Sequence, residues 1–255
     1  MNTNINGIKT NYICKGNGQS IIMLHGWGAN IELFSGIINL VSSKYETIAI
    51  DMPGFGGTEE PKEPWCVDDY VDFILAFIKQ FGLQNIILLG HSFGCRVIIK
   101  MVSCRNLPFD VDKIIIVDGA GIRPVQTPMS KMRNRVFKVG KWIYSINIMK
   151  KLFPKGLDEW RKKFGSADYN NASPIMRQTL IRVVSEDLTE FLSSVTPETL
   201  LIWGENDTAT PVDHGKMMER MMPNAGLAII KNAGHFSFLE QQQVFNSILA
   251  SYLIL

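Results

Sequence analysis

The segment NIILLGHSFGCRV, residues 85–97, joins a short apolar run to a stretch of helical periodicity. Its first five residues, Asn85–Leu89, form a short run rich in Ile and Leu, which is typical of a buried strand in a parallel sheet. From Phe93 to Ser103, apolar residues recur at helical spacing. The two segments meet at Gly-His-Ser-Phe-Gly, so the sequence predicts a strand that turns sharply into a helix.

The serine of that turn, Ser92, is a candidate nucleophile. In a strand, G-x-S-x-G, helix arrangement, the serine lies on a strained turn with its hydroxyl exposed above the sheet edge. We expect Gly90 and Gly94 to be required, because side chains there would clash with the neighbouring strand or helix. The helix N-terminus favours negative charge developing nearby. A plain helix N-cap serine is the alternative, and the two flanking glycines favour the nucleophile.

Short runs of Ile, Val and Leu alternate with longer amphipathic stretches along most of the chain, which predicts an α/β fold. We expect a mostly parallel central sheet of about eight strands flanked by helices. The expected buried strands are Ser20–Leu24, Thr47–Asp51, Asn85–Leu89, Lys113–Asp118, Thr199–Trp203 and Leu227–Ile230. The expected helices are near Ile31–Ser43, Val67–Phe81, Phe93–Ser103, His214–Met222 and Gln241–Leu253. Asn4–Ile8 and Thr10–Cys14 are expected to form an antiparallel hairpin at one edge.

One stretch breaks this alternation. Between Asp118 and Thr199, about eighty residues of helical character, punctuated by prolines, replace the single helix expected there. We therefore predict a helical cap, residues 122–196, inserted after the sixth strand. The remaining residues, 1–121 and 197–255, would form the core domain.

The predicted cap is strongly basic. Lys131–Lys163 contains eleven Lys and Arg residues against two acids, a net charge of +9, while the rest of the chain carries −7. Within it Val136, Val139, Ile143 and Ile146 recur at helical spacing, which predicts an amphipathic helix that covers the active site with its charges in solvent. The alternative is that the positive charge attracts anionic substrates or a membrane surface.

A serine hydroxyl needs a base and an acid to become a nucleophile, and for this turn the chain order is Ser, acid, His. Asp207 follows the predicted strand TLLIW, and His235 follows the predicted strand LAII. Both lie at strand carboxyl ends, the edge where an α/β sheet places its ligands. Asp118 also ends a predicted strand and is the alternative acid; strand position favours Asp207.

The oxyanion of such a reaction needs a second donor from a loop after an earlier strand. The loop His25-Gly26-Trp27-Gly28 supplies it, because its glycines let the backbone approach a ligand. We expect the main-chain N–H groups of Trp27 and Phe93 to form the pair. His25 is a candidate for substrate binding, although a structural role is more usual for a histidine in such a loop.

Five segments in this order resemble the α/β-hydrolase superfamily, of the small type with a helical cap after the sixth strand. They are HGWG at 25–28, DMPGFGGT at 51–58, GHSFG at 90–94, GENDTATP at 204–211 and GHFSFLE at 234–240. The resemblance implies the triad Ser92, Asp207 and His235 and the oxyanion pair Trp27 and Phe93. Two departures, Cys95 for the usual glycine and Gln242 for the usual proline, affect the subfamily and no catalytic atom.

Other classes of protein and ligand are disfavoured. A net charge of +2, with no basic run interleaved with aromatics, disfavours nucleic acid. The four cysteines and four histidines lack metal-ligand spacing, so we expect no metal. A dinucleotide fingerprint using Asp51 fails at Ile31, where its third glycine would be, and we expect no cofactor. No signal peptide or membrane-length run is visible, so a cytoplasmic protein without stable membrane insertion is expected, its oligomeric state left open.

The sequence thus predicts a serine hydrolase that forms an acyl-enzyme, with a small carboxylic ester as substrate. Trp142, Tyr144, Met149 and Trp160 of the cap suggest a largely apolar acyl pocket. One alternative is a carbon–carbon bond hydrolase or menaquinone-pathway-type lyase acting on an anionic keto acid. In some relatives an arginine at the position of Arg96 holds a substrate carboxylate, although a salt-bridged arginine is the commoner case. The other alternative is a non-catalytic ligand receptor with the same fold.

Overall fold

The computed structural model describes residues 1–104, 106–123, 128–145 and 166–255, and within them eight strands form one sheet. The strands are β1 Asn2–Ile5, β2 Ile8–Lys15, β3 Ser20–Leu24, β4 Glu46–Ile50, β5 Asn85–His91, β6 Asp110–Val117, β7 Glu198–Gly204 and β8 Ala225–Ile230. Their spatial order is β1-β2-β4-β3-β5-β6-β7-β8. β1 and β2, and β2 and β4, pair antiparallel, whereas the remaining pairs are parallel. The predicted α/β fold with a mostly parallel sheet is confirmed.

The hairpin at the edge of the sheet is confirmed, but its predicted strand bounds are wrong. The turn falls at Asn6 and Gly7, which both have positive φ, 51° and 85°. Asn-Gly is the favoured pair for a two-residue turn of this hand, because both residues tolerate the left-handed region. β1 therefore begins and ends earlier than predicted, whereas β2 begins earlier and ends one residue later than predicted.

Helices cover both faces of the sheet. They are α1 Ser35–Val41, α2 Val67–Phe81, α3 Phe93–Cys104, α4 Pro128–Ser145, α5 Ala167–Asn171, α6 Pro174–Ser185, α7 Val212–Met221, α8 Ser237–Glu240 and α9 Gln242–Leu253. The predicted helix Ile31–Ser43 is instead a 3₁₀ turn, Ile31–Phe34, followed by α1. The predicted last helix is preceded by the separate short helix α8, because the chain at Gln241 leaves the helical region, with φ −130° and ψ 53°.

The sheet is buried on both faces between two hydrophobic clusters. All five residues of β3 are buried, and its side chains alternate between the two clusters. This explains why the central strands are continuously apolar rather than alternating, as expected for a parallel sheet with helices on each side. The loops at the carboxyl edge of the sheet are the usual position for catalytic and ligand-binding side chains in an α/β fold.

The residues between β6 and β7 that the structure describes are largely helical, in α4, α5, α6 and a 3₁₀ turn at Thr189–Ser194. The bounds 122–196 of the cap remain a prediction. The expected burial of one apolar stripe is wrong: Val136, Val139 and Ile143 on α4 are 42%, 50% and 37% exposed. Ile146 lies outside the described residues. Among the described helices, none combines the length and the apolar character that a bilayer crossing needs.

Candidate active site

The predicted functional residues meet at the carboxyl edge of the sheet. Ser92 follows β5, Asp207 follows β7 and His235 follows β8, while Trp27 lies in the loop after β3. These four strands run parallel to each other, so their carboxyl ends share one edge. Residues far apart in the sequence thereby come within hydrogen-bonding reach.

The turn after β5 holds Ser92 in the left-handed region, with a φ of 49°. This conformation is strained for a residue with a side chain. Main-chain hydrogen bonds hold it in place: the Ser92 N–H donates to the Val117 carbonyl, and the Cys95 and Ala120 N–H groups donate to the Ser92 carbonyl, each over 3.1 Å. The strain is therefore built into the junction of β5, β6 and α3.

The two glycines of the turn are sterically required, as the sequence predicts. A Cβ on Gly94 would lie 2.1 Å from the Leu24 carbonyl oxygen, and one on Gly90 would lie 2.9 Å from the Cys95 nitrogen. Gly26 is required for the same reason, since its Cβ would lie 3.2 Å from the Ser92 Cβ. Glycine at these positions lets α3 and the loop after β3 close on the serine.

Ser92, His235 and Asp207 form one hydrogen-bonded chain. The Asp207 Oδ2 lies 2.8 Å from the His235 Nδ1, and the His235 Nε2 lies 3.0 Å from the Ser92 Oγ. Because a carboxylate only accepts, Nδ1 carries the proton of the neutral imidazole and Nε2 presents its lone pair. The Ser92 hydroxyl then donates to Nε2, the direction in which a proton leaves a serine nucleophile.

The Asp207 carboxylate is held by its own loop. Its Oδ1 accepts from the Ala209 and Thr210 N–H groups over 2.8 and 2.9 Å, and its Oδ2 accepts from the Thr210 hydroxyl over 2.7 Å. Burial acts to raise the pKa of Asp207, but the hydrogen bonds from His235 and Thr210 outweigh it and the pKa is lowered. The carboxylate is therefore charged and fixed in orientation.

The alternative acid, Asp118, has a different role in the structure. Its Oδ1 accepts from the Gly204 N–H over 2.8 Å, and its Oδ2 accepts from the Ser237 hydroxyl over 2.6 Å and the Ser237 N–H over 3.1 Å. These bonds tie β7 and α8 to the end of β6. Burial raises the pKa of Asp118 to about 7, in spite of the donors around it. Asp118 thus supports the loops that carry Asp207 and His235 and does not itself contact the imidazole.

The two predicted oxyanion donors lie beside Ser92. Phe93 is the first residue of α3, and the rings of Trp27 and Phe93 pack with their centroids 5.5 Å apart. Both residues line the same pocket as Ser92. Within the described chain, neither main-chain N–H has a hydrogen-bond partner. The two groups are therefore free to donate to a ligand oxygen.

His91 supports the imidazole loop from behind. Its Nε2 lies 2.9 Å from the His235 carbonyl, so Nε2 carries the proton and donates. Its Nδ1 faces the loop after β3, where a Cβ on Gly26 would lie 2.8 Å away. Burial lowers the pKa of His91 to about 3, so the ring is neutral.

His25 is the one predicted binding residue that the structure removes from the site. Its Nδ1 donates to the Gly26 carbonyl over 2.7 Å, and its Nε2 accepts from the Met52 N–H over 3.0 Å. Both ring nitrogens are therefore used, and burial lowers the pKa of His25. Asp51 is likewise saturated, by the N–H groups of Ile31 and Gly57 and the amide of Asn11. It has no free oxygen for a ribose.

A cavity of about 460 Å³ is lined in part by Ser92 and His235. One side is apolar, with α6 contributing Leu180, Val183 and Val184. Of the four residues predicted to line an apolar acyl pocket, Trp142 and Tyr144 are not among the described residues that line this cavity, and Met149 and Trp160 lie outside the described residues. The polar side of the cavity is formed by Arg96, Thr210 and His214.

Arg96 lies one helical turn after Ser92 and is 5% exposed. Its Nη1 donates to the Glu186 carbonyl over 2.7 Å. Burial lowers the pKa of Arg96, while the charges of Glu186 and Asp187 oppose that shift. The positive charge of Arg96 is thus partly offset by Glu186 and Asp187, and Arg96 still lines the cavity. His214 beside it has a buried Nδ1 with no partner among the described residues.

A second cavity of about 440 Å³ is lined by Trp27 and Gly28 of the loop after β3. It shares Trp27 and Asp168 with the first cavity and extends to Glu60 and Met176. Asp168 approaches Gly28, whose Cβ would lie 3.6 Å from the Asp168 Oδ1. Burial raises the pKa of Asp168, while the charge of His235 opposes that shift. The two cavities therefore meet at Trp27 and Asp168.

Sequence reasoning missed Thr210, Ser237, His214 and Asp168. Thr210 had a readable signal, because a hydroxyl three residues after an Asp in a loop commonly closes a local hydrogen-bonded turn. The other three act through contacts with residues more than a hundred positions away, or through a cavity, and no local pattern marks them. In the described part of the chain, no group of three His, Cys, Asp or Glu side chains is arranged to hold a metal ion.

The comparison with known families agrees with this architecture. A family model described as the alpha/beta hydrolase family matches residues 21–248, most of the chain. The protein therefore belongs to the α/β hydrolase family. The match begins in β3 and ends in α9, so it spans every strand and loop that brings Ser92, Asp207 and His235 together.

Individual relatives include several named hydrolases. The chain is 28% identical to the AB hydrolase superfamily protein YisY of Bacillus subtilis, over 93% of this chain and 92% of that protein. It is 23% identical to a 2-hydroxy-6-oxononadienedioate/2-hydroxy-6-oxononatrienedioate hydrolase of Escherichia coli, over 94% and 88%. Among solved structures, an esterase from Exiguobacterium antarcticum superposes with a TM-score of 0.78 at 26% identity, over 100% of both chains.

Proposed function

We propose that the protein is a serine hydrolase that cleaves a small carboxylic ester through an acyl-enzyme intermediate. The observation that carries this proposal is the hydrogen-bonded chain from the Asp207 carboxylate through His235 to the Ser92 hydroxyl, with distances of 2.8 and 3.0 Å. Such a chain is the arrangement that activates a serine. It ends at a cavity large enough for a small acyl group and its alcohol.

Each step of the mechanism follows from an atom already described. The His235 Nε2 takes the proton of Ser92 as the Oγ attacks the ester carbonyl, and the Trp27 and Phe93 N–H groups receive the oxyanion. Asp207 stabilises the imidazolium that forms. His235 then gives the proton to the leaving alcohol, and a water molecule repeats the sequence on the acyl-enzyme.

The cavity supports an ester with a short or medium acyl chain. Leu180, Val183 and Val184 offer an apolar surface on the α6 side, where a hydrocarbon chain is favoured by burial. The second cavity, which meets the first at Trp27, offers room for the other half of the substrate. The named esterase among the structural relatives agrees with this class of substrate.

The test is the hydrolysis of p-nitrophenyl acetate and p-nitrophenyl butyrate by wild type and by Ser92→Ala. Ser247→Ala, on the exposed face of α9, is the matched control. We expect the Ser92 variant to lose at least about 10³-fold in kcat and the control to match wild type. Equal turnover by Ser92→Ala and wild type would contradict the mechanism. Saturable ligand binding without turnover in wild type would favour a non-catalytic receptor instead.

A second candidate function is a carbon–carbon bond hydrolase, or a lyase, that uses the same triad on an anionic keto acid. Arg96 favours it, because a buried guanidinium lines the cavity. The named Escherichia coli relative is also a hydrolase of a dicarboxylic keto compound. Glu186 and Asp187 already offset the charge of Arg96, which keeps the neutral ester as the first choice.

The two candidates differ in their dependence on Arg96. Arg96→Met should raise the KM for an anionic keto acid strongly and leave the KM for p-nitrophenyl acetate within a few-fold of wild type. If wild type turns over neutral esters but no charged keto acid, the second candidate is excluded. Turnover of the keto acid alone would exclude the simple esterase.

A further inference from the structure

Helix α4 presents an exposed apolar stripe. Its members recur at spacings of four, three and four residues, which places them within about 60° of each other around the helix axis. They are Met132, Val136, Val139 and Ile143, with exposed fractions of 63%, 42%, 50% and 37%. Trp142, at the border of the stripe, is 66% exposed. Soluble proteins rarely leave so continuous a row of apolar side chains in water unless it contacts something.

The same helix is purely basic. Between Pro128 and Ser145 the sequence contains five Lys and Arg residues and no Asp or Glu. Arg135 and Lys138 are exposed and lie on the same border of the stripe as Trp142. An apolar stripe bordered by cations and a tryptophan is the pattern of a helix that lies in the interface of a bilayer.

We propose that α4 docks the protein reversibly on an anionic lipid surface. Charge complementarity selects this occupant: an anionic headgroup layer attracts the five cations of the α4 sequence, whereas a second copy would bring another basic helix against them. Docking of this kind needs no membrane-spanning segment, because only one face of the helix enters the interface. The proposal goes beyond the esterase function and does not depend on it.

The experiment is co-sedimentation of the full chain with phosphatidylcholine vesicles and with vesicles that also contain phosphatidylglycerol. We expect binding to the mixed vesicles and little to phosphatidylcholine alone, with binding lost as salt is raised. Each cation near the surface contributes about fivefold to partitioning, so Arg135→Gln with Lys138→Gln should weaken binding about 25-fold. Val139→Ser should weaken it about tenfold by removing apolar contact.

Matched controls separate the face of α4 from the rest of the surface. Lys79→Gln removes an exposed cation from α2, and Ile229→Ser removes a 44% exposed apolar side chain from β8. Both should bind vesicles as wild type does. The Ser92→Ala protein should also bind as wild type, so a failed esterase assay leaves this test intact. All α4 variants should hydrolyse a water-soluble ester normally if that activity exists.

Three results would overturn the proposal. Equal binding to both kinds of vesicle, or none to either, would exclude an anionic lipid surface as the partner. A large fall in the unfolding temperature of Val139→Ser, without vesicle binding by wild type, would show that another segment of this chain covers the stripe. A concentration-dependent dimer that Val139→Ser abolishes, again without vesicle binding, would identify a second copy as the occupant.

Discussion

The substitution Asp207→Asn offers a sharp test of the proposed triad, because the structure fixes how the new amide would sit. The Asp207 Oδ1 accepts from two main-chain N–H groups, those of Ala209 and Thr210. Only the amide oxygen of Asn can replace it there. The amide nitrogen must then take the place of Oδ2 and donate to the His235 Nδ1, while the Thr210 hydroxyl turns its proton to the Asp118 carbonyl, 3.0 Å away.

The consequence is a change of tautomer at His235. An Nδ1 that accepts from the amide forces the proton onto Nε2, the atom that faces the Ser92 Oγ at 3.0 Å. That nitrogen no longer has a lone pair for the serine proton. A triad in the wrong tautomer loses about 10⁴-fold in kcat, or about 5.5 kcal/mol of transition-state stabilisation. The fold should change little, because every hydrogen bond around the side chain has a replacement.

The assay compares kcat for p-nitrophenyl acetate in wild type, Asp207→Asn and Asp118→Asn, with the unfolding temperature of each. The same chemical change at Asp118 lies in the neighbouring network and leaves the tautomer of His235 intact. We expect the Asp207 variant alone to lose about 10⁴-fold in kcat while it remains folded. Retention of activity within about tenfold of wild type by a folded Asp207→Asn protein would exclude Asp207 as the residue that sets the tautomer of His235.

Three other changes test the fold that supports the site. Gly94→Ala should destabilise the protein by more than about 2 kcal/mol, since its Cβ would lie 2.1 Å from the Leu24 carbonyl, and thermal unfolding measures it. Gly82→Ala, where a Cβ meets no atom within 4 Å but φ is +63°, should cost only about 1 kcal/mol; equal losses at the two glycines would contradict the steric argument. Burial raises the pKa of Asp118 to about 7 from 3.8, so the native state favours its protonated form. The stability that this proton provides is fully present below the unfolded-state pKa of 3.8 and is lost as pH rises through the native-state pKa of about 7. Asp118→Asn should flatten that slope in unfolding temperature against pH, and an unchanged slope would count against the assignment.

The sheet and the Ser92 turn could be predicted from the sequence because both depend on local patterns. Buried parallel strands are continuously apolar, and Gly90 and Gly94 are demanded by close approaches that only glycine allows. The position of Asp207 and His235 after later strands then places them at the same edge. The bounds of the edge hairpin were predicted wrongly although its turn is marked locally, since Asn6-Gly7 is a favoured pair for a two-residue turn.

The supporting network could not be predicted, because its partners are distant in the chain. Asp118 bonds to Gly204 and Ser237, and Arg96 to the carbonyl of Glu186, contacts that exist only once the strands and helices have packed. Helical spacing on α4 correctly predicts one apolar stripe. It carries no information on which neighbour faces that stripe, and the expected burial of Val139 over the active site was therefore wrong.

Covalent labelling tests whether Ser92 is the nucleophile. The wild-type protein is treated with a fluorophosphonate, which reacts with serines activated by a neighbouring base, and the adduct is located by mass spectrometry of the digested chain. We expect one adduct, on the peptide that contains Ser92, strongly reduced in Asp207→Asn and absent in Ser92→Ala. No adduct, or an adduct on a different residue, would contradict this expectation.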